Sequence, residues 1–131
     1  MIELVLMCLS MNIYHEGRDQ SLAGQLAIAQ VTLNRVADPR YPNDVCSVVQ
    51  QHKQFSWYWD GKSDVPKEKR AWETAQLVAS AALAGASHVE LKYATSYHAV
   101  YVQPYWTKSM DVVARIGDHV FYVSGGYKQG G

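Results

Sequence analysis

The sequence predicts an α+β domain that is mainly helical, with a small β-hairpin or sheet region near its end. Apolar residues recur at helical spacing over residues 2–16 and 22–37, and an alanine-rich stretch follows from about 66 to 84. Segments rich in β-forming residues come later, over 92–102 and 112–123. Helices followed by strands, rather than strands alternating with helices, are typical of α+β folds.

Length and composition indicate one domain spanning residues 1–131. The chain is 48% hydrophobic and 18% charged, which fits a folded protein with a substantial core. Its 12 basic and 12 acidic residues cancel, which argues against a dedicated nucleic-acid binder, because such proteins usually carry a basic excess. We therefore expect no nucleic-acid partner, and nothing in the sequence suggests more than a monomer.

The first helix is apolar enough to belong to the core, and Glu16 lies at its end. Gly17 follows as the left-handed residue that commonly ends a helix. A carboxylate at the rim of an apolar core is partly desolvated, and desolvation raises its pKa, which makes a general acid available near neutral pH. The alternative is a solvated carboxylate just beyond the helix end.

The apolar run Leu4–Leu9 resembles the hydrophobic part of a signal peptide, but other signs of a leader are missing. Glu3 precedes the run, no Lys or Arg does, and no A-x-A-like cleavage site follows. The run is also too short to span a bilayer. We expect a core helix with no export signal of its own and no membrane insertion.

The second helix is expected over residues 22–37, with Ser21 as its N-cap and Asp38–Pro39 as its stop. Asn43 is expected to cap a short helix over 44–49.

Residues 51–65 read as a loop rich in aromatic side chains. Asp64 and Pro66 signal the start of the alanine-rich helix, which Gly85 ends. Gly117–Asp118 is a strong turn pair, and it predicts a β-hairpin over 112–123.

Candidate functional residues fall in three places: His15–Glu16, residues 54–57, and residues 95–98. The aromatic cluster Trp57, Tyr58 and Trp59 favours a sugar-stacking surface, because aromatic faces suit the apolar faces of sugar rings; core packing is the alternative. The expected substrate contacts are Gln54, Phe55, Trp57, Thr95, Tyr97 and His98.

Metal and nucleophile chemistries have weaker support. His15, Glu16, His98 and His119 include metal-binding residue types, but they form no H-E-x-x-H motif and no i, i+4 histidine pair. No G-x-S-x-G elbow is present either. We expect no metal site and no cofactor.

The two cysteines are too few for a disulfide scaffold. Cys8 in the apolar first helix is expected to be a buried reduced thiol. A Cys8–Cys46 bridge is the alternative if the protein works outside the cytoplasm.

Several segments, in order along nearly the whole chain, resemble the SleB-type cell-wall hydrolase family, whose namesake is a spore cortex-lytic enzyme. The segments are YHEGR at 14–18, GQLAIAQVTLNRV at 24–36, DPRYP at 38–42, VCSVV at 45–49, QFSW at 54–57, AW at 71–72, ATSYH at 94–98, PYW at 104–106 and IGDHVFY at 116–122. No single segment is specific, but their joint order is.

The resemblance implies a lysozyme-like catalytic domain that acts on peptidoglycan glycan strands. The family's catalytic acid/base glutamate corresponds to Glu16. Two departures stand nearby: Gly17 replaces an Ala or Ser, and Asp19–Gln20 replaces Gly–Glu. The second acidic position of the family motif is therefore the neutral Gln20.

One clear acid favours a lytic transglycosylase, because hydrolytic glycosidases usually use two carboxylates. Glu16 is expected to act between N-acetylmuramic acid and N-acetylglucosamine, leaving 1,6-anhydromuramic ends, while Gln54, Thr95 and Tyr97 position the sugar. His98 is equally consistent with a structural role. True lysozyme activity is the alternative, with water activated by Asp19, Asp60 or Asp64.

Two further classes remain open: a metal-dependent wall peptidase or amidase, and a non-catalytic glycan-binding module. The expected biological role is that of a phage endolysin, held in the host cytoplasm until a holin opens the way to the cell wall. An excised domain of a larger exported hydrolase is the alternative.

Overall fold

The computed structural model of the chain describes residues 2–51 and 66–124. These ranges contain four α-helices, a three-stranded antiparallel sheet and two 3-10 turns, at Val89–Leu91 and Tyr105–Ser109. The helices are α1 (Ile2–Gly17), α2 (Leu22–Ala37), α3 (Val45–Gln51) and α4 (Lys69–Leu83), and the strands are β1 (Ser96–Ala99), β2 (Met110–Ile116) and β3 (His119–Ser124). The order of elements confirms the predicted α+β class.

Helix α1 lies against α2, α3 and α4 and forms the centre of the helical layer. Leu9 and Ile13 on α1 have no exposed surface. Burying a side chain of this size contributes about 1.5–3 kcal/mol to folding. The prediction of a core helix is confirmed, and none of the helices in the described ranges is long and apolar enough to cross a membrane.

The end of α1 differs from the prediction at Gly17. Its backbone is not left-handed, because Gly85 and Gly117 are the described glycines with positive φ. Gly17 is instead the last helical residue, and a Cβ there would lie 2.5 Å from Cδ1 of Ile28. The small residue is therefore explained by the close approach of α2.

Local caps fix the starts of α2 and α3. Oγ of Ser21 accepts a hydrogen bond from the Gly24 amide at 3.1 Å, which confirms the predicted N-cap. For α3 the predicted cap was wrong by one residue: Asp44, not Asn43, accepts from the Ser47 amide at 2.8 Å.

Helix α4 begins at Lys69, later than Pro66 suggested. The hydroxyl of Tyr14 accepts hydrogen bonds from the amides of Lys67 and Glu68 at 3.1 and 3.0 Å. A side chain from α1 thereby satisfies amides just ahead of α4.

Cys8 and Cys46 form a disulfide, with their Cα atoms 5.3 Å apart. The expectation of a reduced Cys8 was therefore wrong, and the bridge joins α1 to α3. The sequence left this bridge as the alternative, because the approach of the two helices decides whether two cysteines can reach one another.

The sheet has the strand order β1–β3–β2. Strands β2 and β3 form the predicted hairpin around Gly117–Asp118, with an irregularity between Val112 and Ala114. Phe121 of β3 is fully buried against α2 in a second apolar cluster, whose other buried members are Ala27, Val31, Leu91 and Ala94. This packing places the hairpin turn beside the end of α1.

Candidate active site

A cleft of about 270 Å³ opens between the end of α1 and the sheet. Residues 15–20 form one side, and Ala99, Tyr101, Asp118 and His119 form the other. The helical core fixes the first side, while the β1 end and the β2–β3 turn fix the second. Glu16 therefore faces a solvent-connected space bounded by two separate parts of the fold.

Glu16 has the environment that its position at the rim of the core predicted. It lies in the last turn of α1 and is partly buried. Burial raises the pKa of its carboxyl group, and a hydrogen bond from Tyr97 and the charge of Arg35 lower that pKa in part. The net direction is upward, which suits a group that must hold a proton near neutral pH.

The hydroxyl of Tyr97 on β1 donates a hydrogen bond to Oε1 of Glu16 at 2.8 Å. Its ring packs edge-on against His119 and is tilted against Phe121, with centroids 5.2 and 5.5 Å away. Burial, followed by the charge of Glu16 and its hydrogen bond, raises the pKa of Tyr97 well above its usual value. Tyr97 therefore remains a phenol that contacts Glu16, and its predicted contact with the substrate stays a prediction.

Arg35 on α2 was not among the predicted site residues. Its Nε donates to the carbonyl of Thr95 at 2.7 Å, and its guanidinium carbon lies 5.1 Å from the centre of the Tyr41 ring. Burial lowers the pKa of Arg35, and the charges of Tyr41, Tyr97 and Glu16 act in the opposite direction. One signal was available: Arg35 follows the buried Ile28 and Val31 at helical spacing.

His119 opens β3 and lines the same cleft. Burial lowers its pKa, Asp118 acts against that shift, and His98 adds to it. Its Nδ1 atom is buried and has no hydrogen-bond partner among the described residues. His119 was weighed in the sequence only as a metal ligand, and the described ranges contain no group of three or more His, Cys, Asp or Glu side chains that could hold a metal ion.

Gln20 and Asp118 join the two sides of the cleft by a pair of hydrogen bonds. Nε2 of Gln20 donates to Oδ2 of Asp118 at 3.1 Å, and the Asp118 amide donates to Oε1 of Gln20 at 3.1 Å. Gln20, the residue at which the sequence departs from the family motif that it resembles, is therefore paired with Asp118 on the hairpin turn.

Two of the predicted substrate contacts lie beneath the surface of the site. Thr95 is 2% exposed, and it serves the site through its carbonyl, which holds Arg35. The two ring nitrogens of His98 lie 2.7 Å from the carbonyl of Ala99 and 2.7 Å from the hydroxyl of Tyr122. Neither residue lines the cleft, and this arrangement favours the structural role for His98.

Of the other predicted residues, one lines the cleft and the rest lie outside residues 2–51 and 66–124, which the structure describes. Asp19 lines the cleft. Gln54, Phe55 and Trp57, together with Asp60 and Asp64, lie outside the described residues. The predicted sugar-stacking loop therefore remains a prediction.

Comparison with known proteins gives consistent matches. The sequence profile of the Cell Wall Hydrolase family matches residues 19–122. The spore cortex-lytic enzyme of Bacillus subtilis (strain 168) is 32% identical over 115 residues, which cover 86% of this chain. The chain spans only 35% of that enzyme's length.

Two solved structures share the fold. One is the catalytic domain of the germination-specific lytic transglycosylase SleB from Bacillus anthracis, with 26% identity, a TM-score of 0.75, and coverage of 90% of this chain and 93% of that one. The other is the catalytic domain of the Bacillus cereus SleB protein, with the same identity and TM-score and coverage of 92% and 90%. The lysozyme-like α+β fold is thereby confirmed, and the chain belongs to the cell wall hydrolase family that its sequence resembles.

Proposed function

We propose that residues 1–131 act as one catalytic domain that cleaves peptidoglycan glycan strands between N-acetylmuramic acid and N-acetylglucosamine, as a lytic transglycosylase. The observation that carries the proposal is Glu16, a partly buried carboxyl with a raised pKa, held by Tyr97 in an open cleft. The relatives support the reaction type, because one of the similar structures is described as a lytic transglycosylase.

The hydrogen bond from Tyr97 decides which oxygen of Glu16 reacts. Oε1 accepts from the phenol, so the carboxyl proton is carried by Oε2. In the first step this proton passes to the glycosidic oxygen as the bond from that oxygen to the muramic C1 breaks. The carboxylate that remains is stabilised by the Tyr97 hydroxyl and by the charge of Arg35.

In the second step the C6 hydroxyl of the muramic residue attacks C1. Glu16 takes the hydroxyl proton and returns to its starting state, so no water is consumed. The same group must be an acid first and a base second. Opposing effects on its pKa, upward from burial and downward from Tyr97 and Arg35, suit a group with both tasks.

Hydrolysis is the second candidate, and one observation favours it. The carboxylates of Asp19 and Asp118 line the same cleft as Glu16, and a carboxylate across the sugar can activate a water molecule. A true lysozyme would leave reducing muramic ends instead of anhydromuramic ends.

The test is mass spectrometry of the soluble fragments released from purified peptidoglycan. We expect anhydromuramic ends from the wild type, none from Glu16→Gln, and normal products from Glu73→Gln, a matched change at an exposed position of α4. Activity that survives in a folded Glu16→Gln protein would overturn the assignment. Loss of activity with a chelator would favour the metal-dependent peptidase or amidase, and binding to sacculi without soluble products would favour the glycan-binding module.

We also propose the endolysin role, with the chain acting as a monomer on the host wall after holin action. The Cys8–Cys46 disulfide suits a compartment more oxidising than the cytoplasm. The test is turbidity of a culture that expresses the chain with or without a holin. Lysis that needs both the holin and Glu16 supports the role, and lysis without the holin contradicts it.

A further inference from the structure

Asp118 is held more tightly than an exposed turn residue requires. Its amide donates to Gln20, its carboxylate accepts from Gln20, and its carbonyl accepts from the amide of Val100 at 2.8 Å. Three hydrogen bonds to two other parts of the chain therefore fix a two-residue turn. The turn faces the Glu16 cleft.

The surroundings of Gln20 are shaped for its side chain. Gly117 has φ of +58°, and a Cβ there would lie 2.6 Å from Oε1 of Gln20. A Cβ on Gly24 would lie 3.0 Å from Cβ of Gln20. The backbone N–H of Gln20 also donates to the carbonyl of Gly17 at 2.9 Å. Two glycines thus leave the space in which Gln20 reaches Asp118.

The side-chain amide of Gln20 has the hydrogen-bonding groups that a carboxylate at position 118 requires. Gln20 must donate to the Asp118 side chain and accept from the Asp118 amide, and a neutral amide does both. An ionised glutamate at position 20 has no proton to donate, and it would set two negative charges against each other. Gln20 can therefore hold the Asp118 carboxylate and backbone amide together, which an ionised glutamate at position 20 cannot do.

One oxygen of that carboxylate is available to a ligand. Gln20 uses Oδ2, and Oδ1 has no partner among the residues that the structure describes. Because Asp118 lines the cleft opposite residues 15–20, its open oxygen shares the substrate space with Glu16.

We propose that Asp118 is a second catalytic residue, whose Oδ1 accepts a hydrogen bond from the 2-acetamido N–H of the muramic residue, and that Gln20 is the residue that positions it. This inference rests on the proposed transglycosylase function. A carboxylate on this N–H turns the acetamido oxygen toward C1 and stabilises the positive charge that develops on the group.

The intermediate of the proposed reaction is an oxazolinium ion. Glu16 gives its proton to the glycosidic oxygen as that bond breaks, and the acetamido oxygen forms a bond to C1. The positive ion lies against the Asp118 carboxylate. The C6 oxygen then attacks C1, its proton returns to Glu16, and the bond between C1 and the acetamido oxygen opens, which restores the acetamido group.

The first test compares Asp118→Asn with Asp111→Asn, a matched change at an exposed position near the far end of the hairpin. Asparagine can still accept from Gln20, so the turn keeps its hydrogen bond while its charge is lost. We expect kcat on purified glycan strands to fall about 10- to 100-fold with little change in KM, as for the loss of one hydrogen bond to a charged group. We expect no change for Asp111→Asn.

The double variant Gln20→Glu/Asp118→Asn separates catalysis from structure. It keeps the side-chain pair as a carboxylate and an amide but exchanges the two partners, so the turn is still held while position 118 stays neutral. We expect thermal stability close to wild type and activity as low as in Asp118→Asn. Recovery of activity in the double variant would show that the turn needs only a hydrogen bond, and it would overturn the proposal.

A binding measurement tests Asp118 without turnover. The probe is the thiazoline derived from N-acetylglucosamine, in which sulfur replaces the acetamido oxygen of the bicyclic intermediate. We expect Glu16→Gln to bind it and the added Asp118→Asn change to weaken that binding at least about tenfold. Equal affinity would refute the role of Asp118. Asp118-dependent binding by a wild type that releases no glycan fragments would instead refute the proposed function alone.

Discussion

Replacing Tyr97 with phenylalanine tests how the cleft sets the acidity of Glu16. The change removes the 2.8 Å hydrogen bond to Oε1 and keeps the ring that packs on His119 and Phe121. A hydrogen bond to a charged group contributes about 1.5–3 kcal/mol. Glu16 is partly buried, so the bond is protected from full solvent screening and this range applies.

The lost bond acts on the carboxylate rather than on the carboxylic acid. It stabilises the charge that develops as Glu16 releases its proton, so its removal is expected to lower kcat about 10- to 100-fold. The pKa of Glu16 should rise further, since the Tyr97 hydrogen bond lowers it in the wild type. The alkaline limb of the pH profile of kcat, where the acid is deprotonated, should therefore move to higher pH.

The assay is release of soluble glycan from purified peptidoglycan across a pH series. Tyr105→Phe is the matched control, because the Tyr105 side chain is 86% exposed. An alkaline limb that stays in place, or moves to lower pH, would refute the argument that the Tyr97 hydrogen bond lowers the pKa of Glu16.

Three further predictions concern stability. Burial raises the pKa of Glu16, so its contribution to folding is complete below the unfolded pKa and is lost as pH rises through the folded pKa. The stability of Glu16→Gln relative to wild type should therefore increase as pH rises above about 4.3. A difference in unfolding midpoint between the two proteins that is the same at pH 4 and at pH 8 would contradict this. Cys8→Ser opens a bridge between residues separated by 38 positions and should cost about 4 kcal/mol in denaturant unfolding, whereas unchanged stability would argue against the bridge. Gly17→Ala sets a Cβ 2.5 Å from Cδ1 of Ile28 and should cost about 1–3 kcal/mol, which Ile28→Val in the same chain should partly restore; an additive loss would rule out that contact as the cause.

Local signals predicted most of the secondary structure. Ser21 caps α2, Gly117–Asp118 turns the hairpin, and the apolar run of α1 is core, because each feature depends on residues a few positions apart. The ends of elements were less accurate. Helix α4 starts at Lys69 because the Tyr14 hydroxyl, on a different helix, satisfies the amides before it.

The candidate site could be predicted from the sequence where the chemistry is local, but not where packing decides which residues meet. Glu16 lies in the last turn of an apolar helix and its partial burial could be inferred, whereas only its spacing from Ile28 and Val31 pointed to Arg35. Its burial follows from the placement of Thr95 and Tyr41 around it. Likewise, the partner of Gln20 is set by the fold, so the sequence could register the exchange of glutamate for glutamine but not its reason.

The contacts that build the cleft join distant parts of the chain. Tyr97 and Glu16 are 81 residues apart in sequence, and Gln20 and Asp118 are 98 apart. Closing such large loops costs entropy that local helix formation does not, so these contacts are expected to form late in folding. A nascent chain with α1 to α4 in place but without the hairpin would hold Glu16 with no opposing wall. Completion of the last strand therefore acts as the step that turns a helical core into a working cleft.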